Sequence, residues 1–189
     1  MNYLLPLIAV ILGYILALVI QPKKKSNLKL LLAFSGSFLL SVTVISLLPE
    51  VYETKNTTIG LYIMLGILFQ IILEFFSKGA EHGHVHGHQT ITHIPWLLFI
   101  SLCIHALLEG FPVGHHHDLA IGIAIHHLPI AIILTTFFVQ AQLNKKAIFA
   151  FMITFAMMTP LGTLASNYIP GLQEYTSEIS AIIIGFLFF

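Results

Sequence analysis

The chain has 189 residues, 57% hydrophobic and only 8% charged, with a mean hydropathy of +0.93. A soluble domain carries about 25% charged residues, so a threefold deficit excludes an ordinary cytosolic globule and points to an all-α integral membrane protein. Eight lysines balance eight acidic residues with no arginine, which leaves no global charge to attract nucleic acid. Eleven histidines accompany a single cysteine, Cys103. One thiol cannot form an intrachain disulfide, so the imidazoles are where chemistry is to be sought.

Crossing about 30 Å of hydrocarbon takes about 20 mostly apolar residues in a helix. In chain order, six full spans are predicted, near 3–21, 30–49, 59–77, 95–113, 119–140 and 147–166, packed as one polytopic helical bundle over 1–189. A seventh run begins near Ile179 and reaches Phe189, enough for only about half a bilayer at about 1.5 Å per residue. The sequence is therefore expected to stop inside a helix. The first span has no basic stretch before it and no clear small-residue cleavage site before Gln21 and Pro22, so it is expected to be retained rather than cleaved.

Lysines set the orientation. Lys23, Lys24, Lys25 and Lys29 follow span 1, Lys78 follows span 3, and Lys145 and Lys146 follow span 5, whereas Lys55 alone falls on the other side. The positive-inside rule then places the N-terminus outside and these loops in the cytoplasm, in an inner or plasma membrane. Glu50, Glu53, Asp118, Glu174 and Glu178 face outward. The cytoplasmic loop 78–93 reads KGAEHGHVHGHQTITH; its glycine-spaced imidazoles suit loose contact with transition metals, against a plain hydrophilic linker.

Span 4 contains His105 and Glu109, four residues apart and so on one helical face. A carboxylate in mid-span costs about 2.5–3.5 kcal/mol on insertion scales, so Glu109 requires a partner, a cavity or an ion. Span 5 contains the adjacent His126 and His127, with Pro129 two residues on. That proline withholds one backbone hydrogen bond and crowds the carbonyl of Ile125. Together His105, Glu109, His126 and His127 offer a nitrogen and oxygen set suited to Zn²⁺ or a similar divalent ion. Adjacent helical residues point about 100° apart, which favours His126 against the ion and leaves His127 against it or one layer behind.

Elsewhere bland readings compete. Glu74 and Lys78 fit a snorkelling pair at the cytoplasmic end of span 3. Glu50 fits a solvated end of span 2. His115, His116 and His117 with Asp118 form a short outer loop, either a solvated turn or a place that concentrates metal at an entrance.

These residues resemble the ZIP family of divalent-metal transporters. The family's span 4 carries a His followed four positions on by an acid and Gly, matched by His105, Glu109 and Gly110; its span 5 motif of His, a polar residue, Pro, Glu and Gly is matched in part by His126, His127 and Pro129. The Leu-Leu-Pro-Glu ending at Glu50, the His-rich loop and Pro160-Leu161-Gly162 in span 6 are similar to the family's layout as well. The resemblance implies eight spans, of which this sequence holds six and part of a seventh, and a binuclear site between spans 4 and 5. The family's frequent Asn after the span-4 His is Ala106 here, and the Glu after the span-5 Pro is Ile130. Both lack oxygen ligands, so one ion is expected and the second is in doubt. Ile130, one turn after His126, is expected on the same face.

The function expected is transport of Zn²⁺ or a related divalent ion toward the cytoplasm, the metal being substrate, with the lipid bilayer as surroundings and a second copy of the chain as a candidate partner. A non-transporting metal sensor is the runner-up, and a haem carrier with axial His ligands comes after it. No zinc-protease HExxH motif occurs, which argues against an enzyme.

Overall fold

A computed structural model describes residues 2–20, 25–54, 57–77, 95–114, 116–169 and 171–188. Every regular element among them is helical. Chain order gives α1 (Leu4–Ile20), α2 (Lys25–Val42), α3 (Leu48–Glu53), α4 (Ile59–Ser77), α5 (Trp96–Gly110), α6 (His117–Gln140), α7 (Lys145–Tyr168) and α8 (Thr176–Leu187). A π-helical turn, Thr43–Leu47, joins α2 to α3, so that a single rod runs over Asn27–Glu53. Its cause is local: Pro49 has no N–H to offer and would crowd the carbonyl one turn back, and a widened turn just before it relieves both.

Five helical segments are long and apolar enough to cross a membrane: Asn27–Glu53, Ile59–Phe76, Trp96–Gly114, His117–Gln140 and Lys145–Tyr168. α1 and α8 are apolar but shorter. The first expected span is thus a helix of 17 residues, at the lower limit of what crosses hydrocarbon. The second exceeds its expected bounds, because the π turn carries the helix through Pro49 to Glu53. The His-rich loop 78–93 and Lys23, Lys24, Lys55 and Lys78 lie outside the described residues.

Large apolar side chains cover the exterior, among them Leu30, Ile45, Phe75 and Val19. In a soluble protein that surface would aggregate; against lipid it is neutral, and burial of apolar area no longer drives helix association. Close approach does so instead, through small residues. α5 and α7 meet at Gly110 and Gly162, where a Cβ on either would collide with the opposite backbone, at the carbonyls of Thr159 and Leu107. Thr163 Oγ1 donates across this crossing to Gly110 O at 2.7 Å. α4 and α8 meet in the same manner at Gly66 and Gly185, and α1 meets α6 where Gly13 lies on Ala131. α6 therefore runs through the middle of the bundle, touching α1, α2 and α7.

Two apolar layers fill the interior. One gathers Leu98, Leu102, Ala106, Ile130, Leu134 and Phe155; the other gathers Leu47, Ile63, Val113, Leu119, Ile123 and Ile184. On α5 the first layer ends at Ala106 and the second resumes at Val113 just beyond the helix; on α6 the gap falls between Ile123 and Ile130. Glu109, His126 and His127 occupy that gap, and His105, one turn before Glu109, borders it. The polar groups thus form a thin stratum between two dry ones.

Candidate metal centre

Glu109 is completely buried, and its two oxygens face different partners. Oε2 accepts from His127 Nε2 at 2.7 Å, and Oε1 lies 3.2 Å from His105 Nε2. The first is an aligned hydrogen bond with both groups shut from solvent. The second is not aligned as a hydrogen bond, and Oε1 receives none. A buried carboxylate oxygen in that condition is costly, and a cation drawn in beside it removes the cost.

The i, i+4 spacing brings His105 and Glu109 together on α5, while α6 approaches from the opposite side. Ligand atoms of His105, Glu109 and His126 all lie within 4.8 Å of one another, close enough to converge on one ion with small side-chain adjustments. The rings of His126 and His127 are 6.4 Å apart. His126 is partly exposed and faces a cavity, whereas His127 is 1% exposed and packs on Phe155 of α7. The two neighbours therefore do different things: His126 borders the space an ion would enter, and His127 steadies the carboxylate from behind.

That cavity measures about 450 Å³ and is bounded by α2, α4, α5, α6 and α8. Gln70, His105, Glu109 and His126 form its polar floor, and Lys29 near the start of α2 also lines it. A second, smaller cavity of about 70 Å³ lies by Glu50, Pro112, His116, Ser166 and Thr176. Here His116 Nε2 stands 3.3 Å from Glu50 Oε2. His117 turns elsewhere, its Nδ1 lying 3.1 Å from Asn2 Oδ1, and His115 is outside the described residues. The outer triplet is thus not a convergent cluster among the described residues.

Ile130 differs from its expected placement. It is 2% exposed, packs with Ala106 in the apolar layer and does not line the cavity. Helical angles explain this: Ile130 projects between the directions of its neighbours on the preceding turn, and α6 is rotated so that His126 alone takes the open side.

Two contributors were missed in the sequence. Gln70 of α4 brings Oε1 to 3.4 Å from His105 Nδ1, and the Phe186 ring of α8 lies 4.8 Å from the His105 ring. For Gln70 a signal existed, since an amide in the middle of an apolar span needs a partner as much as a carboxylate does. Phe186 gave none, because one more Phe in an apolar run carries no positional information.

The fold and the cluster define a polytopic helical membrane protein with a buried His and Glu stratum reached from a cavity. Among known proteins the chain is similar to "Zinc transporter ZIP1" of Danio rerio, 25% identical over 110 aligned residues, covering 46% of this chain and 36% of the relative. It is also similar to "Protein zntD" of Dictyostelium discoideum, 27% identical over 126 aligned residues, covering 57% of this chain and 18% of the relative. The chain thus spans well under half the length of these relatives. No family model matches it, and no solved structure gives a significant match.

Proposed function

We propose that the chain is a ZIP-like transporter that moves Zn²⁺ or a related divalent transition metal across the membrane toward the cytoplasm. The observation that carries this reading is Glu109, a fully buried carboxylate with one oxygen accepting no hydrogen bond, turned toward His105 and His126 at the floor of a cavity. Imidazole and carboxylate replace the water shell of such an ion. His105, Glu109 and His126 ligate it, and His127 holds the carboxylate in place and forms the outer layer of the site. With a single carboxylate in the stratum among the described residues, a bound dication keeps about one uncompensated positive charge. Such a site holds its ion weakly enough to release it, as conduction demands.

The first relative supports the metal as cargo through its printed name. The lysine asymmetry supports the orientation with the N-terminus outside, and in inward transport the His-rich loop 78–93 would receive the ion on the inner side.

The test is Zn²⁺ flux into liposomes holding a zinc-sensitive dye, for the chain and for His105→Ala. Influx that is saturable and lost in the variant supports transport. Tight Zn²⁺ binding with no flux overturns it in favour of a sensor, and haem absorbance in the purified protein overturns both.

A further inference from the structure

Among the described residues, Gln70 is the polar side chain that α4 contributes to the cavity floor. It is 2% exposed, in a helix whose neighbouring positions Phe69, Ile71 and Ile72 face outward. One turn further on, Ser101 Oγ of α5 donates to Leu73 O of α4 at 2.8 Å, also buried. Gln70 to Leu73 on α4 and Ser101 to His105 on α5 therefore form a polar seam, two contacts one turn apart, which fixes the register of α4 against α5 in a region where apolar burial does not. Phe186 closes over the ring of His105 from α8. The imidazole is held on its edge by Gln70 and packed by the tilted Phe186 ring, 4.8 Å away between centroids.

We propose that Gln70 is a positioning residue that sets the tautomer of His105. A neutral imidazole has one proton to place. On Nε2 it would lie 3.2 Å from Glu109 Oε1 but out of line for a hydrogen bond, and the ring would be of no use to a cation there. On Nδ1 it is donated to Gln70 Oε1, 3.4 Å away, and Nε2 then turns a lone pair toward the same place as the carboxylate. The amide carbonyl from α4 selects the second arrangement. Metal-bound imidazoles elsewhere depend on such a partner for their other nitrogen, and its loss typically costs 10- to 100-fold in affinity. The consequence for affinity rests on the reading of the stratum as a metal site; the tautomer does not.

The experiment is nitrogen NMR on the full chain in lipid nanodiscs, labelled with ¹⁵N-histidine, metal-free and at about pH 8, where free imidazole is neutral. His105 is identified by the signals missing from His105→Asn. Expected is a proton on Nδ1 in the natural chain, its transfer to Nε2 in Gln70→Met, which keeps length but has no acceptor, and its return to Nδ1 in Gln70→Glu. Zn²⁺ affinity should fall 10- to 100-fold in Gln70→Met. A proton on Nε2 in the natural chain, or on Nδ1 in both the natural chain and Gln70→Met, overturns the proposal. The first of these needs no variant to fold. If the protons move as expected while the natural chain binds no Zn²⁺, the positioning role stands and the metal-site reading falls.

Discussion

Replacing Glu109 by Gln separates its charge from its shape. The amide keeps an oxygen that can accept from His127 Nε2, at 2.7 Å in the natural protein, yet offers no anionic ligand on the side of His105 and His126. Because Glu109 is the only carboxylate in the stratum among the described residues and is fully buried, no other described carboxylate substitutes for it. Zn²⁺ affinity should drop at least about tenfold, or about 1.4 kcal/mol, with little change in thermal stability. Glu109→Ala should lose the same affinity and destabilise the metal-free fold as well. It strips the acceptor from His127, which is 1% exposed, and an orphaned buried donor costs about 1–3 kcal/mol. The assay is calorimetric titration with Zn²⁺ in detergent, with residues 81–88 deleted so that the His-rich loop does not bind, beside thermal unfolding without metal. If Glu109→Gln binds Zn²⁺ like the parent, the carboxylate serves packing alone and the argument from its unbonded oxygen is refuted.

The neighbouring histidines should separate in the same pair of assays. His126→Ala should lower affinity at least about tenfold while leaving the melting temperature near the parent value, because the side chain borders a cavity; His127→Ala should lower both, because it removes a buried hydrogen bond to Glu109. Equal effects would contradict the rotation of α6. Gly162→Ala puts a methyl group into the carbonyl of Leu107 and should cost about 1–3 kcal/mol, as overpacking does, read as a lower melting temperature. A parent-like value would place the α5 and α7 crossing elsewhere. For orientation, a cysteine at position 83 (Gly83→Cys in a Cys103→Ser background) should react with an impermeant maleimide only after the membrane is opened, and labelling of intact cells would overturn the proposed orientation.

Much of the architecture was legible along the chain. Apolar runs between turn and charge signals locate the helices, because a backbone in lipid must bond to itself and the helix is the local way to do so. Pairing of His105 with Glu109 was legible too, since spacing of four within one helix fixes their mutual angle whatever the rest of the bundle does. Pro49 was legible only as part of the Leu-Leu-Pro-Glu run ending at Glu50, and that a π turn would let the rod continue to Glu53 was not legible there.

What a helix cannot state alone is its rotation against its neighbours. His126 and His127 are fixed about 100° apart by the helix itself, but which one borders the cavity depends on how α6 is turned, and Gly13 lying on Ala131 and Gly122 lying against Leu39 of α2 set that rotation. The same rotation buries Ile130 with Ala106. Gln70 reaches His105 across 35 positions of sequence because Gly66 lets α4 sit against α8 and Ser101 ties α4 to α5. Periodicity is a property of one helix; a polar cluster built from α4, α5 and α6 depends on contacts between backbones, and those exist only once small residues in distant segments have met.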